Sequence, residues 1–160
     1  MIIKTADFST CRTWRYSLYR IWTLKKPHIL FVCLNPSTAD ENINDPTVRR
    51  CIGFAESWGY GGMIMANMFA YRATDPKDMK SATDPIGPEN DLYLSHLSKH
   101  SEITIMAWGN DGKYLNRDKE VVGLLKNKHY FKLTNIGQPC HPLYLKASLA
   151  PIKFKQDKYV

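Results

Sequence analysis

Four short apolar runs, separated by polar turns, dominate the hydrophobic pattern of the chain. The most apolar one is Ile-Leu-Phe-Val-Cys-Leu at 29–34, and it breaks at once into Asn-Pro-Ser-Thr at 35–38. A short, β-rich apolar run bounded by turn residues indicates a buried strand. The pattern therefore predicts four such strands, at 28–34, 61–68, 102–107 and 130–133.

The segment 14–22 has a different pattern, in which aromatic and basic side chains are mixed. Successive side chains of a strand point to opposite faces, so a strand here would carry Tyr16, Leu18 and Arg20 on one face. We predict an additional edge strand over 14–22.

Helical signals lie between the predicted strands. Asp45 is a suitable N-cap, apolar residues recur after it at helical spacing, and Gly59 is a natural C-terminal stop. Two more helices are expected, one starting at 87–91 and one over 115–127. The segment 70–86 is rich in Asp, Pro and Thr and predicts a long loop with one short helix.

The resulting order of elements, β-α-β-α-β-α-β, favours a parallel sheet covered on both faces. We therefore expect an α/β fold of three layers, α/β/α, with a central, mainly parallel sheet of about four strands. A length of 160 residues fits one domain over 1–160. The ends of the chain, 1–13 and 151–160, are expected to be loose.

Charge and cysteine content narrow the classes of function. The 22 basic residues exceed the 15 acidic ones and give a formal charge of +7, which favours an anionic partner such as a nucleic acid or a nucleotide. No apolar run approaches the length of about 20 residues that a membrane span needs. The start shows no signal peptide, and the four cysteines form no CxxC pair. We expect a cytoplasmic protein without membrane contact.

Polar residues gather where the predicted strands end. In a parallel sheet the carboxyl ends of the strands lie on one side, where ligands bind, so these clusters predict a shared pocket. The alternative is that each cluster is an ordinary turn, because Asn, Gly and Pro favour turns. The clusters are Asn35–Asp40, Asn67–Arg72, Trp108–Asn110 and Gly137–His141.

Two of these residues are candidates for catalysis. Asn35 can donate and accept hydrogen bonds, so it can hold a water molecule or the edge of a base. The alternative for Asn35 is a local bond in an Asx turn. His141 can donate to a developing negative charge or carry a proton. The alternative for His141 is a structural histidine in a turn.

The candidates for substrate binding come from the same clusters and from nearby arginines. Arginine side chains match phosphate oxygens, and Tyr71 and Trp108 can stack on a base. Ion pairing with neighbouring carboxylates and burial of the aromatic rings are the alternatives. The predicted binding residues are Ser37, Asp40, Arg49, Asn67, Tyr71, Arg72, Trp108 and Arg117.

No cofactor or metal site is predicted. The chain contains no phosphate loop of the form GxxxxGKS, GxxxxGKT or GxGxxG. It also lacks HExxH, HxE combined with CxxC, and GxSxG. These absences argue against P-loop, metalloprotease, zinc-deaminase and serine-hydrolase chemistry.

Several longer runs resemble one protein family. They are Leu-Asn-Pro-Ser-Thr-Ala-Asp at 34–40, Asp-Pro-Thr-Val-Arg-Arg-Cys at 45–51, Asn-Met-Phe-Ala-Tyr-Arg-Ala-Thr-Asp-Pro at 67–76 and His-Pro-Leu-Tyr at 141–144. Together they resemble an uncharacterised domain family of bacteria and phages. This resemblance implies no particular activity.

The layout is also similar to the uracil-DNA glycosylase superfamily, a single α/β domain with a parallel central sheet. The Gly-Ile-Asn-Pro-Gly motif of its mismatch-specific branch resembles Cys-Leu-Asn-Pro-Ser at 33–37. Its late His-Pro-Ser motif resembles His-Pro-Leu at 141–143, and the last residue differs in both motifs. This resemblance implies that Asn35 positions the attacking water and that His141 stabilises charge on the departing base.

Three functions remain open at this point. The first is hydrolysis of an N-glycosidic bond in DNA or in a nucleotide-like substrate, which requires that Asn35 and His141 face one cavity. The second is a binding module that holds a nucleotide or modified base without cleaving it. The third is a hydrolase for another phosphate-bearing substrate, with Asp40 or Asp45 as acid, base or metal ligand.

Overall fold

The computed structural model describes residues 1–155, which form a mixed α/β fold around one sheet. The strands are β1 (Ile3–Phe8), β2 (Arg15–Ile21), β3 (His28–Cys33), β4 (Gly62–Asn67), β5 (Thr104–Met106), β6 (Lys128–Tyr130) and β7 (Ile152–Lys153). The helices are α1 (Pro46–Ser57), α2 (Pro76–Ser81), α3 (Asn90–Lys99) and α4 (Arg117–Leu124). A 3-10 segment, Asn110–Asn116, leads into α4.

The sheet has the strand order β1-β2-β4-β3-β5-β6-β7. Its centre, β4-β3-β5-β6, is parallel, while β1, β2 and β7 extend the two sides with antiparallel pairing. The prediction of about four strands is therefore wrong, because residues 1–155 contain seven. The two extra outer strands lie within the segments 1–13 and 151–160, and both are largely exposed, so they lack a hydrophobic signal. Residues 156–160 lie outside the described part of the chain.

The strand predicted over 14–22 is present as β2, but it is not an edge strand because β1 pairs with it. The register with β1 shifts where Ser17 pairs with Asp7 and Arg15 pairs with Phe8. Tyr16 is left between these pairs as a β-bulge, which breaks the simple alternation of faces. Tyr16 consequently stacks on Tyr93 of α3, with ring centroids 4.9 Å apart, and does not share the face of Leu18.

The two faces of the central strands carry separate hydrophobic clusters. Phe31 of β3 belongs to a cluster that includes Val48 and Phe54 of α1. Its neighbour Val32 belongs to the other cluster, with Leu94 of α3 and Val121 of α4. Alternation along β3 thus buries both faces, as expected for a central strand of an α/β sheet. The parallel strands end on the side where the polar clusters follow them.

Local signals explain where the helices begin. Asp45 caps α1, since its Oδ1 accepts a hydrogen bond from the Val48 N–H at 2.9 Å, which confirms the predicted cap. The third predicted helix starts later than expected, at Arg117. Leu115 and Asn116 have φ angles of 58° and 55°, and this left-handed backbone cannot belong to the helix.

Along residues 1–155, no helix is both long and apolar enough to cross a membrane.

Candidate functional site

A cavity of about 600 Å³ opens at the carboxyl ends of the parallel strands. Four chain segments contribute to it, and each follows one strand of the parallel centre. This agrees with the general rule for ligand sites in α/β sheets. The lining residues are Leu34, Asn35, Ser37, Thr38, Asp45, Pro46, Thr47, Ala73, Thr74, Pro76, Trp108, Gly109, Asn110, Asp111, His141 and Leu143.

The loop 35–45, which forms one side of the cavity, is held from below by two buried arginines of β2. Arg15 donates to the carbonyl oxygen of Ala39 at 3.0 Å. Arg20 donates to the carbonyl oxygens of Asp40 at 2.6 Å and Ile43 at 3.2 Å. Both guanidinium groups lie in the interior, and burial lowers the pKa of Arg15 to about 10, which still leaves it charged at neutral pH. The loop is therefore fixed by charged donors.

Asn35 lines the cavity with its amide group held in one orientation. Its Nδ2 donates to the carbonyl oxygen of Ala73 at 2.7 Å and to that of Pro36 at 3.2 Å. Because carbonyl oxygens only accept hydrogen bonds, these contacts fix which end of the amide is the nitrogen. The carbonyl oxygen Oδ1 remains as an acceptor for a ligand or a water molecule.

His141 lines the same cavity and is held in one tautomer. Its Nδ1 accepts a hydrogen bond from the Leu143 N–H at 3.3 Å, so the proton of the neutral ring lies on Nε2. Burial lowers the pKa of His141 below its ordinary value, and the negative charge of Asp45 opposes this in part. At neutral pH the ring is therefore uncharged and offers Nε2–H as a donor.

Contacts at the end of β5 bring the late part of the chain to the cavity. The Gly109 N–H donates to the carbonyl oxygen of Pro139 at 2.7 Å. The indole N–H of Trp108 donates to Gln138 Oε1 at 2.9 Å, and Gln138 Nε2 donates to Asp118 Oδ2 at 3.0 Å. These bonds fix the Trp108 ring in the hydrophobic cluster of Val32 and Leu94 beside the cavity, which is the burial that sequence analysis gave as the alternative to stacking. They also tie down the segment that carries His141.

Two carboxylates that sequence analysis did not place in the binding set line the cavity. Asp45 was predicted as a cap and, with Asp40, as an acid, base or metal ligand of a phosphate-directed hydrolase, whereas Asp111 was not singled out. Asp111 pairs with Lys80 at 2.9 Å. Asp45 and Asp111 are the charged residues among those that line the cavity, and Lys80 offsets the charge of Asp111 from outside it. Throughout residues 1–155, no group of three or more His, Cys, Asp or Glu side chains is arranged to hold a metal ion.

A second recess of about 470 Å³ adjoins the cavity; we refer to it as the basic groove. The predicted binding residues Tyr71 and Arg72 line this groove and not the cavity. Arg12, which sequence analysis missed, is distant from these two residues in the sequence and also lines the basic groove. The groove comprises Arg12, Thr13, Ser37, Thr38, Tyr71, Arg72, Ala73 and Thr74, of which Ser37, Thr38, Ala73 and Thr74 also line the cavity.

Four predicted binding residues lie elsewhere. Arg117 is fully buried and bonds to Asp91, Glu120 and the carbonyl oxygen of Met68. The Asn67 side chain is buried and accepts a hydrogen bond from Arg15. These two polar groups hold the fold together, and neither lines the cavity or the basic groove.

The remaining two of the four have local contacts. Asp40 Oδ1 accepts the N–H groups of Asn42 and Ile43, both at 2.8 Å, which closes a turn. Arg49 is exposed on α1 and donates to the carbonyl oxygen of Asn44. It lines a smaller recess that runs along α1 as far as Ser57. The structure thus brings together Asn35, Ser37, Trp108 and His141 in the cavity.

Comparison with protein families gives one match, to the family described as "Protein of unknown function (DUF1643)", over residues 15–143. The chain belongs to the DUF1643 family. The DUF1643 match covers every residue that lines the cavity, from Leu34 to Leu143, whereas Arg12 and Thr13 of the basic groove precede it. No curated protein and no solved structure matches the chain.

Proposed function

We propose that this protein hydrolyses the N-glycosidic bond of a nucleotide or nucleic-acid substrate whose base occupies the cavity. The observation that carries the proposal is that Asn35 and His141, far apart in the sequence, line one cavity. Its volume of about 600 Å³ is typical of sites for small organic ligands. Had the two side chains lain on opposite sides of the molecule, the mechanism would have had no basis.

In this mechanism Asn35 orients the attacking water. Its Nδ2 is engaged by the carbonyl oxygens of Ala73 and Pro36, so Oδ1 can accept a hydrogen bond from the water and hold it below the sugar carbon. Asp45 lines the same cavity, and its carboxylate accepts the proton that the water loses. The water oxygen then forms the new bond to the sugar carbon.

His141 acts on the departing base. As the glycosidic bond breaks, its electron pair passes to the base, and negative charge builds on a ring carbonyl oxygen. The neutral imidazole donates a hydrogen bond from Nε2–H to that oxygen. It stabilises the negative charge and keeps its own proton. A fixed donor of this kind typically contributes about 10²–10³-fold in rate. Trp108 lines the cavity but is only 1% exposed, so it supports the wall and leaves little ring surface for a base to stack on.

The motif resemblance to the uracil-DNA glycosylase superfamily supports the same assignment. This motif resemblance implies that Asn35 positions water and that His141 stabilises the leaving base. The roles inferred from the contacts of Asn35 and His141 are the same two roles. On this proposal the helices on both faces of the sheet correspond to the three-layer arrangement of that superfamily.

The test is the release of free base, measured by mass spectrometry from a panel of canonical and modified nucleosides, nucleotides and oligonucleotides. We expect at least one substrate to yield free base. We expect Asn35→Ala to lower the rate at least about 100-fold, because the water loses its acceptor. Asn42→Ala is the matched control, since Asn42 is an exposed residue of the same loop outside the cavity.

Other outcomes would identify the other functions. Tight binding without free base from any substrate would contradict hydrolysis and indicate a binding module. Release of phosphate, with the base still attached to the sugar, would indicate a phosphate-directed hydrolase. In that case Asp45 would be the acidic candidate, because the Asp40 carboxylate closes a turn and does not line the cavity.

Asp45→Asn separates the two roles of this residue. Asparagine caps helices about as well as aspartate, but the variant also loses the negative charge that Asp45 places near the buried Arg15 and Arg20, so we expect a lower melting temperature with the fold retained. It cannot accept the proton from water, and we expect base release to fall about 10²–10⁴-fold. An unchanged rate of base release in the folded variant would show that Asp45 is not the proton acceptor.

A further inference from the structure

The two arginines of the basic groove converge on one aromatic ring. The guanidinium carbon of Arg12 lies 3.9 Å from the centroid of Phe8, and that of Arg72 lies 4.7 Å from it. Two cations gathered at one ring repel each other, and an anion that contacts both relieves this repulsion. Guanidinium groups are also well shaped to bind phosphate oxygens.

The protein's own carboxylates neutralise this pair only in part. Glu41 pairs with Arg12 at 3.1 Å, but both side chains are substantially exposed, and such surface pairs are weak. The backbone N–H groups of Asn42 and Ile43, which donate to Asp40 Oδ1, lower the pKa of Asp40 most, and the charges of Arg12 and Arg72 lower it further. Among the described residues, Arg72 takes part in no salt bridge.

The backbone around the two arginines is fixed. Arg12 has a left-handed φ of 60°, and its N–H donates to the carbonyl oxygen of Ser9 at 2.8 Å. The Arg72 N–H donates to the carbonyl oxygen of Thr13 at 3.0 Å, next to an antiparallel bridge between Trp14 and Tyr71. The left-handed conformation of Arg12 closes the turn between β1 and β2. The two cations are thus presented from ordered backbone.

The cavity and the basic groove differ in the charged side chains that line them. Asp45 and Asp111 line the cavity, and no Lys or Arg does. The cavity wall therefore offers a phosphate group no cationic side chain, whereas Arg12 and Arg72 attract it across the common wall. A ligand with an uncharged base and an attached phosphate therefore matches both recesses at once.

We propose that the basic groove binds the phosphate attached to the nucleoside whose base occupies the cavity. Arg12 and Arg72 contact its oxygens, and Ser37 and Thr38 supply hydroxyl donors from the common wall. The identity of the group in the cavity rests on the proposed function, but phosphate binding in the groove does not require that the base is released.

The test measures binding without catalysis. The probe is a fluorescein-labelled, single-stranded oligothymidylate of about eight nucleotides, titrated by fluorescence anisotropy at several NaCl concentrations. Arg12→Ala and Arg72→Ala should each weaken binding about tenfold at low salt. Each should also lower the slope of log K against log salt by about 0.7, the value for one lost phosphate contact to a single strand. Lys119→Ala is the control, because Lys119 is an exposed cation of α4 outside both recesses.

A variant that is expected to tighten binding strengthens the test. Glu41→Gln removes the carboxylate that pairs with Arg12, so it should tighten binding of the same probe. If the arginine variants bind like Lys119→Ala, or if the unmodified protein binds no phosphate-bearing probe even at low salt, the proposal is wrong. Folding of each variant is checked by its unfolding transition, and Arg72→Lys retains the charge if Arg72→Ala does not fold.

Competition distinguishes a free nucleotide from a nucleic-acid strand as the source of the phosphate. Thymidine, thymidine 5′-monophosphate and unlabelled oligothymidylate are added to displace the probe. Displacement by the monophosphate but not by thymidine would assign the groove to one phosphate of a nucleotide. Displacement by the oligonucleotide alone would assign it to a strand. Arginine-dependent binding without base release would leave the groove assignment intact and contradict only the glycosidic reaction.

Discussion

Replacement of Arg20 by methionine is expected to release the loop that forms one side of the cavity. Arg20 is fully buried, and its Nε donates to Asn44 Oδ1 at 2.7 Å. It also donates to the carbonyl oxygens of Asp40 and Ile43. Methionine has a similar length and remains compatible with the interior, but it donates no hydrogen bond. The variant therefore removes the donors and leaves most of the packing unchanged.

The expected cost follows from the three loop acceptors that lose a charged donor. A hydrogen bond to a charged group contributes about 1.5–3 kcal/mol, and the loop is exposed enough for water to replace part of it. The three acceptors are uncharged, and each that water cannot reach costs about 1–3 kcal/mol when its donor is lost. We therefore expect the free energy of unfolding to fall by about 3–5 kcal/mol, a large part of the about 5–15 kcal/mol of an ordinary domain.

Urea unfolding followed by tryptophan fluorescence measures this loss. Hydrogen exchange adds a local readout, because the N–H groups of Asn42 and Ile43 are protected by Asp40 within the same loop and should exchange faster in the variant. Lys4→Met is the matched control, since Lys4 pairs with Arg20 across β1 and β2 but is exposed. A loss below about 1 kcal/mol, with unchanged exchange, would refute the inference that Arg20 anchors the loop.

Two more predictions concern the walls of the cavity and its histidine. Burial lowers the pKa of His141 and of His28, so the unfolded chain binds more protons than the folded protein below the ordinary value of 6.5. The free energy of unfolding should therefore fall as the pH drops from about 7 to about 5. His141→Gln should make this fall shallower in urea titrations, and equal pH dependence in both proteins would contradict the assignment. Gly112→Ala should destabilise the fold by about 1–3 kcal/mol in thermal melts, because a Cβ there would overlap the Trp108 ring. Gly123→Ala, with open space around it in α4, should instead stabilise by about 0.5–1 kcal/mol, and a shift of both variants in the same direction would argue against this reasoning.

The parts of the fold with strong local signals were predictable from the sequence. The apolar run at 28–34 is β3, and Asp45 caps α1 as its position before Pro46 indicates. Both are set by residues that are close together in the chain. The parallel strand ends then place the polar clusters on one side by topology alone, which is why Asn35 and His141 could be expected to share a cavity.

The parts that depend on distant partners were not predictable. β1 is short and exposed, and only its pairing with β2 makes it a strand. The bulge at Tyr16 changes which side chains of β2 face the loop, so the role of Arg15 could not be read from alternation. Arg117 and Asn67 have residue types that favour exposure, but tertiary contacts bury both. Burial of a charged side chain is decided by its partners, and a sequence pattern does not contain them.

Arg15 and Arg20 bind the loop 35–45 chiefly through hydrogen bonds to its main-chain carbonyl oxygens, at Ala39, Asp40 and Ile43. Every amino acid has a carbonyl oxygen, so these anchors tolerate substitution of the residues they hold. Substitutions along this stretch are therefore expected to change the side chains that face the cavity while the loop keeps its course. The pair of arginines in β2 thus maintains the shape of the cavity independently of the side chains that line it.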